Sequence, residues 1–469
     1  MHPTPYALTL QNIELHNFRA FGNVSLTFHP RLTVMIGENG AGKTTILDSL
    51  AGMLRLYVDK LCSGYSDDVT LLKAAFKNND IQYGKKKAIL AIKTLLTFES
   101  ISFVEPEDES KRKQLAYDIE HNEELDLNAA ERNDMVEEIN WLATLTPKKY
   151  AISNDENDIM GFEYLDKFVQ TINFRLRSAE ATEVSLPLVA YYPLDRIDWA
   201  FQKAIAPVLE VDIFNAFDDC LDANKSLNFD LFARWFKWQE NLSRQTKNTT
   251  LLDTVCTAIY TVLNDEPELP KYQSLYTDYT NPDLPDGDLH ITVSGSNVSV
   301  SQLSSGEKTI FLLVADIARR LALANPDATN PLNGQGIVLI DEIDLHLHPR
   351  WQRKIVPQLL KTFPNCQFVV TTHSVQVLGE IENKDKIVYL LNNNQVSSLP
   401  YSGGLSISNL ATRIFGDRNR SVLAQSDIDR LFQLIENEKD EEATTLLREL
   451  QKKYGETDEA LLEAFAILH

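Results

Sequence analysis

The 469-residue sequence is poor in cysteine, with only Cys62, Cys220, Cys256 and Cys366, and no two of them stand at metal-ligand spacing. That excludes a zinc ribbon or a disulfide framework as the organising device, and free thiols in a reducing compartment are expected. Long apolar runs are lacking too. None approaches the ~18–20 residues of a membrane span, and the opening Met-His-Pro-Thr-Pro is no signal peptide, so a soluble cytoplasmic protein with no membrane association is expected. Positive charge is scarce. The 45 Lys and Arg face 67 Asp and Glu, a net charge of −22, which excludes a surface that is basic throughout and grips nucleic acid nonspecifically. Any such contact has to be local. The short clusters Lys85-Lys86-Lys87, Lys111-Arg112-Lys113 and Lys148-Lys149 are the places for it, with each read first as a solvated face or turn and phosphate contact as the lesser alternative. No sustained heptad repeat runs between residues 55 and 290, which excludes a long coiled-coil arm.

What is present begins with Gly37-Glu38-Asn39-Gly40-Ala41-Gly42-Lys43-Thr44, set between the apolar run Leu32 to Ile36 and the amphipathic run Thr44 to Leu50. A strand, a glycine loop and a helix start in this order make a phosphate cradle. The glycines let backbone N–H groups converge on phosphate oxygens at a helix N-terminus, Lys43 reaches the β- and γ-phosphates, and the Thr44 hydroxyl suits Mg²⁺. A chain of this length is expected to form two or three structural units.

Before the loop, Leu8, Leu10, Ile13 and Leu15, then Val24, Leu26 and Phe28, alternate as strands of a hairpin around Asn17 to Asn23. The hairpin would bring Arg19 near the nucleotide, and a surface arginine in a turn fits the position equally well. Between residues 55 and 290 the signals thin. The acidic stretch Val104 to Glu138 reads as loops and exposed helices. Strands are expected near 89–98 and at 185–192, and helices at Phe214 to Leu221 and Phe229 to Trp238. The aromatics of that last segment are read as core, with base stacking as the lesser alternative. The turn-rich Asn281 to Gly287 returns the chain to an ordered domain.

The later motifs are again dense. Leu303-Ser304-Ser305-Gly306-Glu307-Lys308 precedes a helix with apolar Ile310, Phe311, Val314, Ile317 and Leu321, so a small-residue turn feeds a helix N-terminus that can hold a γ-phosphate. The apolar strand Ile337 to Ile340 ends in Asp341 and Glu342. Neighbouring carboxylates on a strand point apart and take separate tasks: Asp341 as a direct or indirect Mg²⁺ ligand, Glu342 as general base toward water. His346 and His348, two apart with no further ligands, are read as turn groups. A last strand, Gln367 to Thr372, ends at His373, which fits a γ-phosphate sensor at the carboxyl edge of an α/β sheet.

This ordered set closely resembles the head of ABC-type ATPases. The segments correspond to Walker A, signature, Walker B, D-loop (Asp344) and H-switch (His373). The strings Asn17 to Phe21 and Asp341 to Pro349 resemble the RecF, SMC and OLD branch. The resemblance implies an α/β fold: an ABC head with a P-loop sheet, a mainly helical insertion and a C-terminal helical tail. It divides the chain into head lobe I at 1–60, insertion at 61–290, head lobe II at 291–415 and tail at 416–469. It assigns ATP binding to Arg19, Asn39, Gly40, Ala41, Gly42, Lys43, Thr44, Thr45, Ser304, Ser305, Gly306, Glu307 and Asp344. Mg²⁺ falls to Thr44 and Asp341, and catalysis to Glu342 and His373. No Q-loop glutamine is recognisable. Because each motif occurs once, a composite site requires a homodimer or an assembly of dimers.

Length and the acidic amphipathic tail (427–436, 443–450 and 458–468) resemble the PtuA-type antiphage ATPases of Septu and retron systems. That implies a PtuB-like HNH nuclease partner and, in a retron, a reverse transcriptase with its RNA-DNA product, with DNA or RNA bound in the assembled complex. A RecF-like DNA-repair clamp is the alternative. An OLD-like nuclease is disfavoured, because the segment after His373 lacks a Toprim pattern.

Overall fold

The computed structural model describes residues 6–63, 75–103, 130–147, 150–153, 161–177, 185–194, 197–198, 212–222, 227–264, 270–281, 287–400, 407–415, 422–455 and 458–468. The expectations for 104–129, for the basic clusters at 111–113 and 148–149, and for 282–286 lie outside these. The chain forms two compact units, 1–404 and 405–469.

In the first unit, β1 (Ala7–Phe18) and β2 (Phe21–Thr27) form the expected hairpin. The buried positions of β1 switch from Leu8 and Leu10 to Ile13 and Leu15 because a bulge interrupts its pairing between Leu10 and Asn12. The Gln367 side chain completes the ladder there: its Oε1 accepts Leu10 N–H at 2.8 Å and its Nε2 donates to Leu10 O at 2.9 Å. Then come β3 (Leu32–Gly37), helix α1 (Lys43–Ser63), β4 (Ala88–Phe103), β5 (Ala130–Leu145) and β6 (Tyr150–Ser153). Strands β2-β1-β4-β5-β6 make one antiparallel sheet.

Residues 130–138, expected as loop or exposed helix from their acidity, are strand instead. They pair with 95–103 across the β4–β5 hairpin, where Lys93 meets Glu138. Cross-strand pairing has overridden local composition.

Helix α2 (Gly161–Arg177) leads to β7 (Leu188–Tyr192), followed by a two-residue pair, β8 (Ile197–Asp198) and β9 (Leu227–Asn228). The helix expected at 214–221 is only a 3₁₀ turn, Ile213–Phe217, because the chain leaves helical geometry at Asp218, whose ψ is 122°, and Asp219 follows at φ 50°. Helices α3 (Phe229–Thr246) and α4 (Thr250–Leu263) follow. Phe232, Trp235 and Phe236 are core: Phe232 meets Phe311 edge-on with centroids 5.7 Å apart. Next are β10 (Tyr272–Asp278), β11 (Asp288–Val293) and β12 (Ser296–Ser299), a small sheet of their own, then helix α5 (Ser305–Ala324). The span 61–290 thus supplies helices α2, α3 and α4 together with strands β4 to β10.

The central sheet is completed by β13 (Gly336–Ile340), helix α6 (Pro349–Thr362), β14 (Cys366–Thr372), the short α7 (Gln376–Gly379), β15 (Ile387–Asn392) and β16 (Gln395–Ser398). Its order is β16-β15-β3-β14-β13-β7, parallel except at the β15–β16 edge. Every residue of β3, β7, β13 and β14 is buried, which is why these strands read as mostly apolar runs without alternation. Parallel strands bring all their carboxyl ends to one edge, where a ligand crevice forms.

The second unit holds α8 (Ile407–Phe415), α9 (Val422–Glu436), α10 (Asp440–Tyr454) and α11 (Glu459–Leu468). Its core comprises Ile428, Leu431, Ala443, Leu447, Leu450, Leu461 and Ala464. Among the described residues no helix is long and apolar enough to cross a membrane.

Candidate functional site

At the carboxyl edge of the central sheet, the turn between β3 and α1 has Gly40 and Gly42 at positive φ. A side chain at Gly42 would also strike the Phe21 ring, 2.4 Å from an ideal Cβ, so both conformation and space require glycine there. Lys43 opens α1, and its Nζ donates to the carbonyls of Gly37 at 2.9 Å and Glu38 at 3.1 Å. Burial lowers its pKa, opposed by the nearby carboxylates Glu342, Asp341 and Asp344. Thr44 donates its hydroxyl to Asp341 Oδ2 at 2.7 Å, and Thr371 donates to the other oxygen, Oδ1. The fully buried Asp341 carboxylate is thus oriented from β14 and the loop helix, while its N–H donates to Tyr192 O of β7 at 2.9 Å. A threonine hydroxyl and a carboxylate in contact form an oxygen donor set suited to Mg²⁺.

Glu342 follows at φ 45°, its N–H given to Thr371 Oγ1 at 2.7 Å. That left-handed residue turns the chain so that its carboxylate meets His373 Nε2 at 2.9 Å. His373 lies 3.0 Å from Lys43 Nζ through Nε2 and 3.4 Å through Nδ1. One nitrogen cannot serve both partners: with the proton on Nε2 donated to Glu342, Nδ1 remains the acceptor toward Lys43. Asp344 accepts the Thr372 hydroxyl, and Ser374 donates to Gln352 at 2.8 Å. Lys43, Thr44, Asp341, Glu342 and His373 therefore form one connected cluster, although they come from opposite ends of the sequence.

Arg19, itself at φ 47°, does not join this network. Its Nη1 donates to Asp48 on α1 at 2.6 Å and its Nε to Asp80 at 2.7 Å. Burial works against its charge, but the two carboxylates outweigh it and raise its pKa. Asp48 also accepts the Tyr191 hydroxyl at 2.9 Å. Arg19 thus ties the first hairpin to the loop helix.

The turn before α5 is built around its own cap. Ser304 caps the helix, and Glu307 completes a capping box, accepting Ser304 N–H at 3.0 Å and its hydroxyl at 2.7 Å. Gly306 approaches the chain after β13 so closely that a Cβ would lie 2.9 Å from His346 O. His348 caps α6 by accepting Arg350 N–H, and among the described residues no group of acidic, histidine or cysteine side chains forms a metal cluster.

Sequence reasoning passed over Thr371, Asp48, Tyr191 and Asp80. The only advance signal was the pair Thr371-Thr372, polar residues within a wholly buried strand.

Comparisons with known proteins give the family. A family model described as an AAA domain matches residues 12–254, more than half of the chain. The "Retron Ec83 probable ATPase" of Escherichia coli is 29% identical, with 98% of this chain and 84% of that protein covered. The "Retron Vc95 probable ATPase" of Vibrio cholerae is 27% identical over 80% of this chain and 72% of its own length. The Septu protein PtuA of Bacillus mycoides is 30% identical over 38% of this chain and 26% of its own length. The chain belongs to the AAA-domain ATPases and, among them, is an ABC-type ATPase of the RecF/SMC branch.

Proposed function

We propose that this chain binds and hydrolyses ATP at a site shared between two copies, and that it acts as the sensor and regulatory subunit of a bacterial antiphage defence complex, controlling a separate HNH nuclease of PtuB type. The observation that carries the catalytic part is the contact of Glu342 with His373 beside Lys43, at the strand ends where Thr44 meets Asp341. Lys43 and the backbone N–H groups from Asn39 to Thr45 hold the phosphates. Thr44 and Asp341 would hold Mg²⁺, which when bound supplies charge neutralisation on the phosphate oxygens. Glu342 accepts the proton of the attacking water, and His373 keeps the carboxylate oriented while reaching toward the γ-phosphate. Ser304, Ser305, Gly306 and Asp344 serve the nucleotide bound by the second copy.

The defence role rests on likeness to the retron ATPases and to PtuA. In a retron setting a reverse transcriptase and its RNA-DNA product would join the complex. The independent core of 405–469 suits a partner-binding unit. The test is ATP turnover and phage protection by the chain co-expressed with an HNH nuclease of PtuB type. Full protection by a Lys43→Ala, Glu342→Gln double variant defeats the reading.

A further inference from the structure

Both oxygens of the Glu307 carboxylate are engaged, and from two sides. Oε2 takes the N–H and hydroxyl of Ser304, while Oε1 takes Lys271 Nζ at 3.1 Å and the hydroxyl of Tyr272. An ordinary capping box joins a helix only to its own cap. Here the far oxygen is gripped from outside the helix, by the start of β10. That grip is rigid. Tyr272 is buried, and the Asn264 side chain at the end of α4 takes both of its backbone groups: its N–H at 2.8 Å and its carbonyl at 3.0 Å. Lys271 Nζ donates to the Tyr272 oxygen at 2.7 Å, which strengthens the phenol as a donor to Glu307. Ser304 and Ser305 are exposed. Core packing therefore does not fix these two side chains, whereas the Glu307 tether acts on Ser304 directly.

We propose that Lys271 and Tyr272 are positioning residues for the signature turn, holding Glu307 so that Ser304, Ser305 and Gly306 keep the geometry that meets the nucleotide of a second copy. The inference rests on the shared-site reading above. It assigns part of the region between Walker A and signature a task in hydrolysis: the path Asn264, Tyr272, Glu307, Ser304 connects α4 to the turn by hydrogen bonds alone. On the shared-site reading the signature turn serves the nucleotide of the second copy, so both residues act on turnover without acting on their own chain's ATP binding.

The test uses full-length chains. Tyr272→Phe keeps the ring and removes the hydroxyl, and Lys271→Met removes the exposed ammonium with little change in volume. Each is expected to lower kcat about tenfold with KM for ATP held within about twofold, because a small displacement of a positioned group costs turnover rather than uniform binding. A mixed dimer of Tyr272→Phe and Lys43→Ala chains contains one intact composite site, so co-expression should restore turnover, whereas Glu342→Gln with Lys43→Ala should not. Wild-type kcat in both variants while Ser305→Arg is inactive overturns the positioning role and leaves the ATPase reading standing. A loss of kcat that co-expression does not restore, when Ser305→Arg with Lys43→Ala is restored, also overturns it. Absence of turnover in the wild-type chain with its partner nuclease, or no restoration for Ser305→Arg with Lys43→Ala, overturns the shared-site reading and the positioning role with it.

Discussion

His373 Nε2 and Glu342 Oε1 lie 2.9 Å apart, joining the residues that follow two neighbouring parallel strands. A glutamine at 342 preserves that contact in shape yet cannot accept a proton from water. Glu342→Gln should therefore retain ATP binding and slow hydrolysis by about 10²-fold or more, the usual contribution of a general base. Turnover and nucleotide binding measured on the same preparation check this, and undiminished turnover removes Glu342 from the role.

Lys43 is buried against the carbonyls of Gly37 and Glu38, so its side chain is already held at the phosphate cradle. Lys43→Ala should weaken ATP binding itself by about tenfold to a hundredfold, the range of a charge-assisted hydrogen bond. Equilibrium titration with a fluorescent ATP analogue reads the change. Equal affinity for both chains would contradict the assignment.

Ser305 is exposed at the start of α5, and an arginine fits there without touching the core. Ser305→Arg should leave the melting temperature within a degree or two, as surface substitutions do, while abolishing hydrolysis. Size-exclusion chromatography with light scattering should show ATP-dependent pairing of Glu342→Gln chains and none for the Ser305→Arg, Glu342→Gln double variant.

Asp316 is buried between Arg319 and Arg320, with Arg320 also bonded to the carbonyls of Ala216 and Asp218, and Tyr192 donating to the same carboxylate. Burial alone would disfavour the charge, but the two guanidinium groups outweigh it and hold the carboxyl well below the usual range. Removing one charge of such a buried set strands the others. Asp316→Asn should cost about 3–5 kcal/mol in a denaturant titration. A loss under about 1 kcal/mol would show that the pair relaxes toward solvent.

Glu307 carries a pH prediction. Burial pushes its pKa up, but hydrogen bonds from Tyr272, Ser304 and Lys271 together bring it down to about 2. A carboxyl depressed in the folded state stabilises at pH values above its unfolded pKa of about 4.3, and that contribution is lost as pH falls toward the folded value. The Ser304 turn should therefore stay intact at neutral pH and loosen between about pH 4 and pH 2. In Tyr272→Phe the transition should move upward. Titration of the Glu307 carboxyl carbon by NMR checks both, and coincident curves for the two proteins would contradict the bond from Tyr272.

What the sequence determined by itself is whatever is encoded in contiguous residues. The cradle at 37–44, the strands ending at Ile340 and Thr372, and the cap at Ser304 each announce themselves through glycines, apolar runs or capping residues a few positions apart. Leu8, Leu10, Ile13 and Leu15 read as a single alternation in the sequence, and the break of phase between Leu10 and Ile13 is explained only by the bulge in pairing with β4. Tertiary structure alone decided the rest. Composition made 130–138 look like loop or exposed helix, but a strand's backbone is satisfied by its partner, and β4 supplies one. The role of Arg19 stayed open in the sequence because Asp48 and Asp80, the carboxylates that hold it, carry no pattern of their own. For the same reason Tyr272 on Glu307 left no trace and Thr371 on Asp341 left only a polar pair at the end of an apolar strand: threonine and tyrosine are ordinary strand residues, and their partners are brought within hydrogen-bond distance only when the sheet and its flanking helices close.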